Sequence, residues 1–341
     1  MRHRLPALLI SATLLILAVA PVQARGPEQS RHEQIVAHWT AARLAAAVPR
    51  DFVYHPGRGF APAAKPPGTP GGPGGGGGGG GGGGTGFTTG ASWTADGAVK
   101  ERTGKVYFEM GAGAYVCSGS VATDARSGYS LVLTAAHCAY DETNGEFASN
   151  WLFIPDFDQS PTFTCSQTEY GCWTAEALVV HDGYADAGGF NTQATLHDFA
   201  FAVVAGGGHS ETAQLDTSVG AFDVVIPGFD APGDTAYAFG YPAAQKYRGS
   251  DLVYCAGSIF EDPYNDELTW GLPCKMTGGS SGGPWLATFD TSTGSGGLSS
   301  LNSYGYSGVA AMHGPKFNSD TADVYSAAQN ATSTNVIVAD R

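Results

Sequence analysis

The spacing of apolar residues changes twice along the chain. Leu5 to Val19 is apolar behind Arg2, His3 and Arg4, and Val22-Gln23-Ala24 offers small residues for cleavage. This predicts a signal peptide over residues 1–24. A membrane anchor is the rival, but the run is shorter than the ~20 residues of a spanning helix. Between Glu28 and Val48, Ile35, Trp39, Ala42 and Ala46 recur at helical spacing, with charges between them and Pro49 as a stop. A helix this short is marginal alone, so it is expected to dock on the domain that follows. From Trp93 onward the pattern becomes short runs rich in Val, Tyr, Phe and Thr, separated by Gly, Asp, Asn and Ser. These predict strands at Val106–Met110, Ala114–Val121, Leu131–Ala135, Trp151–Ile154, Ala177–Val180, Phe199–Val204, Thr235–Tyr241, Leu252–Phe260, Pro284–Phe289 and Gly308–Met312. No helical period persists there, which argues for an all-β sandwich or pair of barrels over an α/β sheet.

Composition sharpens the division. Ala61 to Gly86 is dominated by proline and glycine and contains an unbroken glycine run from Gly74 to Gly84, which cannot pack a core. The resulting expectation is a prosegment over residues 25–70, a glycine-rich linker over 71–90 and a folded domain over 91–341. The prosegment would be removed or displaced, with a passive spacer as the alternative. A net charge of −14 makes the chain a poor holder of phosphate backbones, so nucleic acid is not an expected partner. Six cysteines behind an export signal point to an oxidising, extracellular destination.

The candidate chemistry centres on Thr277-Gly278-Gly279-Ser280-Ser281-Gly282-Gly283-Pro284-Trp285. Glycines on both sides of a serine suit a loop that exposes a hydroxyl and aims backbone amides. Ser281 would be the nucleophile, with the amides of Gly279 and Ser281 forming an oxyanion pocket. Two further segments stand out. Leu131 to Cys138 is an apolar strand running into His137, and Asp198 stands at the mouth of the apolar run Phe199 to Val204. A carboxylate at a buried strand start needs a partner, and His137 can supply one.

In these segments the chain resembles the chymotrypsin-like serine endopeptidases. The matching motifs are Thr134-Ala135-Ala136-His137-Cys138, Asp198-Phe199-Ala200 and Gly279-Ser280-Ser281-Gly282-Gly283-Pro284. Their order, His then Asp then Ser, is that of the family. Tyr115 to Ser120 and Val180 to Tyr184 add support. The resemblance spans about Gly104 to Tyr325. It implies two perpendicular six-stranded antiparallel β-barrels with the active site in the cleft between them. It also implies His137 as general base, Asp198 as its orienting acid and Ser281 as nucleophile. Protein or peptide substrates, a monomer, no metal and no cofactor are expected, with the prosegment as a partner. Once the signal is removed no membrane association is expected.

Ser280 stands where trypsin-like members carry an aspartate, so their switch, in which a new N-terminal ammonium pairs with that aspartate, is not expected here. The Gly-Gly-Ser-Ser-Gly form looks more like the bacterial and fungal glutamyl endopeptidase-like branch, which prefers acidic side chains at the cleaved bond. Lys275 and His313 are the candidates for attracting such a side chain. The resemblance implies Cys117–Cys138 as the bridge that staples the histidine loop. Cys165–Cys172 would close a small loop, and Cys255–Cys274 remains. Two rival functions are a secreted serine esterase or lipase, which needs its acid and histidine after the serine, and an inactive protease-fold binding protein.

Overall fold

The computed structural model describes residues 29–63, 87–158, 163–244 and 247–339. The expected signal peptide and the glycine run lie outside these. The single helix expected over Glu28–Val48 is two, α1 (Arg31–His38) and α2 (Ala41–Ala46). Ser30 closes a capping box with Glu33 on α1, and Thr40 caps α2 by accepting from the Arg43 amide. Thr40 thus starts a new helix where the periodicity suggested a continuous one, because its hydroxyl competes for the backbone. Trp39, at the break, is buried and donates its indole N–H to the Asn150 carbonyl at 2.5 Å. The helices therefore dock as expected. Three short strands follow: β1 (Val48–Pro49), β2 (Phe52–His55) and β3 (Gly59–Pro62).

After β4 (Thr88–Ser92), the chain builds β5 (Thr103–Met110), β6 (Gly113–Ala122), β7 (Ser130–Thr134), β8 (Ser149–Pro155), β9 (Trp173–His181) and β10 (Ala200–Val204). These six close on themselves as an antiparallel barrel in the order β6-β5-β8-β9-β10-β7-β6. β7 and β10 are buried along their whole length, which is why they read as continuous apolar runs without alternation. Val106, Phe108, Leu133, Phe153 and Phe201 lie in this core.

The second half contains β11 (Thr235–Gly240), β12 (Val253–Ser258), β13 (Thr269–Pro273), β14 (Pro284–Asp290), β15 (Ser295–Leu301), β16 (Tyr304–Tyr306) and β17 (Ala311–Pro315). Its hydrogen bonding is split between two sheets. One runs β15-β14-β11-β12-β4; the other carries β13-β17-β16-β2-β3. Three of these strands were hidden in the sequence. β15 reads Ser-Gly-Gly-Leu-Ser-Ser-Leu and can be buried because its hydroxyls are satisfied, as where Ser300 donates to the Pro315 carbonyl at 2.8 Å. The run expected over Gly308–Met312 begins later, at Ala311, because Gly308 turns the chain at φ +83°. Near the C-terminus, α3 (Ser319–Ala328), capped by Asn318, packs on β9 and β10.

Candidate active site

Each barrel half contributes to the cleft. The Ala200↔Thr134 register between β10 and β7 brings the residues flanking these strand ends together. His137 lies in the short turn Ala136–Cys138 just past β7, and Asp198 just before β10. The Asp198 carboxylate accepts the His137 Nδ1–H at 2.8 Å on one oxygen and the His137 backbone N–H at 2.9 Å on the other. A third donor, the Ser303 hydroxyl at 2.5 Å, completes it. All of this is closed to solvent, since His137 and Asp198 are both 0% exposed. The Cys117–Cys138 bridge ties the histidine turn to β6, and the Cys165–Cys172 and Cys255–Cys274 bridges are also present.

The second half supplies the loop between β13 and β14. Gly279 and Gly282 take φ +98° and +79°, a region that strains other residues. A Cβ on Gly282 would also fall 2.2 Å from Thr134 Oγ1 and 2.4 Å from the Ser118 carbonyl. The loop thus presses on the end of β7, beside the histidine turn. Its carbonyls are accounted for: Ser118 donates its hydroxyl to Gly279 O and its amide to Ser281 O, and Asn302 donates to Ser280 O. Asn302 in turn accepts from the Trp285 indole at 2.8 Å. Ser280 forms part of this frame, its hydroxyl turned back to the Thr277 carbonyl.

The Ser281 hydroxyl donates at 2.6 Å to Asp51, and the second oxygen of the same carboxylate accepts the Gly279 N–H at 2.9 Å. His137 Nε2 is buried and has no hydrogen-bond partner among the described residues. Burial pushes the Asp51 carboxyl above its ordinary value, against the opposing pull of Ser281, His137, the Gly279 amide and Arg50. Asp51, Ser303 and Asn302 are site residues that motif reading did not find. For Asp51 the available signal was an Arg-Asp pair leading into the strand-prone Phe52-Val53-Tyr54.

A cavity of about 550 Å³ opens beside the serine loop, lined by residues 274–278, the strand around Ser303 to Tyr306, and Val309 to Met312. Lys275 lines it as an exposed residue. His313 is elsewhere: it is buried behind the wall, stacked on Tyr304 with ring centroids 5.2 Å apart and 3.8 Å from Asp262. Burial pushes its imidazole down to about 4, against the pull of Asp262. Asp262 also accepts from the hydroxyls of Tyr304 and Tyr306 at 2.7 and 2.8 Å. His181 is buried at the end of β9 and stacked on His197.

A buried histidine–aspartate pair from one β half and a glycine-framed serine from the other define a class, that of two-barrel serine hydrolases. Comparison with solved structures narrows it. The protease Anisep from Arthrobacter nicotinovorans is 36% identical over 68% of this chain and 96% of its own, with a TM-score of 0.57. A thermostable serine protease, AL20, from an extremophilic microorganism is 35% identical over 69% of this chain and 100% of its own, with a TM-score of 0.58. The chain belongs to the chymotrypsin-like serine endopeptidases, which hydrolyse peptide bonds. A Glu endopeptidase, 19% identical with a TM-score of 0.52 over 71% of this chain and 97% of its own, shares the fold. No family model and no curated protein matches the chain.

Proposed function

We propose that this chain is a secreted serine endopeptidase that cleaves proteins or peptides through an acyl-enzyme on Ser281. The observation that carries this reading is the His137–Asp198 pair at 2.8 Å, fully buried, with Nε2 left unpartnered beside the Ser281 loop. A serine hydroxyl is a weak nucleophile at neutral pH. His137 Nε2 takes its proton as Ser281 Oγ attacks the substrate carbonyl, then returns a proton to the leaving amine. Asp198 holds the other ring nitrogen protonated and stabilises the imidazolium. Ser303 keeps that carboxylate in place. The amides of Gly279 and Ser281 receive the developing oxyanion. Residues 1–24 would direct export, 25–70 form the prosegment, 71–90 the linker, which runs into β4 at Thr88, and 91–341 the protease domain. Three disulfides support an oxidising destination, and no helix among the described residues is long and apolar enough to cross a membrane.

For the substrate side chain, the cavity favours an uncharged group. The His313 imidazole is neutral above pH 5, and the Asp262 carboxylate stands behind Tyr304 and Tyr306. A preference for acidic side chains is the second reading, and it rests on the Lys275 ammonium at the rim. A cleavage-site profile on denatured proteins decides between them: Lys275→Ala should erase an acidic preference and leave an uncharged one intact. The function itself is tested by Ser281→Ala, which should lose several powers of ten in turnover while keeping its fold. Near-normal turnover would refute it.

A further inference from the structure

The segment from Val48 to Pro62 lies in the cleft. β1 adds to β6 in parallel, with Val48 opposite Tyr115 and Pro49 opposite Val116. β2 adds to β16, again in parallel, with Phe52 opposite Tyr304 and Tyr54 opposite Tyr306. β3 folds back antiparallel on β2. Between the two additions, Asp51 holds both the Ser281 hydroxyl and the Gly279 amide. Phe52 stands edge-on to the His137 ring at 5.5 Å and stacks on Phe190 at 4.0 Å. Arg50 anchors the other side, donating to the His137 carbonyl and, at 3.2 Å, to Glu142.

The direction of this segment matters. The cavity beside the Ser281 loop is lined by β16, so on the protease reading the half of a substrate that stays on the serine and fills that cavity would lie along β16, and it precedes the scissile bond. The leaving half begins with the amine that takes a proton from His137, so it lies on the β6 side. A substrate therefore runs from β16 to β6, whereas Val48 to His55 runs from β6 to β16. The Asp51 main-chain carbonyl is also turned away, accepting from the Ala63 N–H at 2.7 Å. Ser281 thus faces a carboxylate, and among the described residues the Gly279 amide meets that carboxylate and no peptide carbonyl. A carboxylate offers no leaving group to an attacking serine, so the segment can fill the site without being cut.

We infer that residues 48–62 are an internal inhibitor of this active site, lying in the cleft with reversed chain direction and placing the Asp51 carboxylate where the substrate oxyanion would form. This rests on the protease reading above. The inhibitor acts in three ways: it fills one donor of the oxyanion pocket, it draws the Ser281 proton away from His137, and it covers the strand edge that a substrate would pair with. Activation requires that the segment leave, and the glycine run beyond it supplies a place to cut the chain without touching either folded part.

The test uses the full chain with a recognition sequence for an added specific protease placed within residues 74–84. Labelling of Ser281 by a small fluorophosphonate is timed before and after the cut, with the segment diluted away, and the peptide carrying the label is identified by mass. The inference predicts labelling at least about 100-fold faster after the cut, a gap of about 3 kcal/mol. It also predicts that Asp51→Ala raises the uncut rate about tenfold or more, while Asp51→Asn, which keeps one acceptor oxygen, raises it less. If a variant fails to fold, a synthetic peptide of residues 47–63 added to the cut enzyme gives the same comparison through its inhibition constant, against the peptide with Asp51→Ala. Equal labelling before and after the cut overturns the inhibitor while leaving the protease standing. No labelling of Ser281 in either form overturns the protease reading and the inhibitor with it.

Discussion

Asp198→Asn isolates the role of one carboxylate. Three donors converge on Asp198: the His137 amide at 2.9 Å, the His137 Nδ1–H at 2.8 Å and the Ser303 hydroxyl at 2.5 Å. Asparagine keeps the shape but replaces one of the two acceptor oxygens with an NH₂ donor. If its oxygen stays on the His137 amide, the NH₂ faces Nδ1 and moves the ring proton to Nε2. That nitrogen can then no longer accept the serine proton, and kcat/KM should fall by about 10⁴, equivalent to about 5 kcal/mol. If the side chain turns over, the NH₂ meets the backbone N–H of His137, leaving a buried donor unpaired at a cost of about 1–3 kcal/mol in stability. The assay is hydrolysis of a peptide amide by the processed enzyme, with urea unfolding on the same samples. A variant within tenfold of the wild-type rate and equally stable would refute the argument that Asp198 orients His137.

Two further outcomes follow from the geometry. Gly282→Ala should abolish turnover and lower the melting temperature, because alanine at φ +79° costs about 1–2 kcal/mol and its methyl meets the Ser118 carbonyl, which cannot move aside; wild-type turnover would contradict this. His313, with its imidazole pushed from 6.5 to about 4, favours the folded state above pH 6.5 and loses that contribution as the pH falls through about 4. The loss is on the order of 3 kcal/mol, so His313→Asn should flatten the fall in urea stability between pH 7 and pH 4, and parallel curves for the two proteins would contradict the assignment.

How much of this was legible in the sequence depended on whether a residue's role is local. His137, Asp198 and Ser281 could be picked out as candidates because each sits at a boundary between an apolar run and a polar turn, and the backbone chemistry of that boundary is written in adjacent residues. The closed first barrel was legible for the same reason, since β7 and β10 are dense in branched and aromatic residues. β15 and β16 were not, because a Ser-Gly strand and a three-residue Tyr-Gly-Tyr strand carry no apolar alternation and gain their burial from partners far along the chain. Ser303 and Asn302 are single polar residues in such a stretch, and their roles exist only once the two halves meet. Asp51 is the extreme case: its partners Gly279 and Ser281 lie about 230 residues away, and the Arg50-Asp51 pair ahead of Phe52 does not by itself separate a buried carboxylate from a solvated one. The split of the N-terminal helix at Thr40 reflects the opposite error, in which a helical period was extended through a residue better suited to capping.

Trapping the acyl-enzyme asks directly whether the Ser281 Oγ is the nucleophile. The processed enzyme, mixed with an activated ester of a short peptide and quenched in acid within the first turnover, is digested and mapped by mass spectrometry. An acyl group is expected on the peptide carrying Ser281, absent in Ser281→Ala and accumulating far more slowly in Asp198→Asn. An acyl group on another residue, or undiminished peptide hydrolysis by Ser281→Ala, would contradict it.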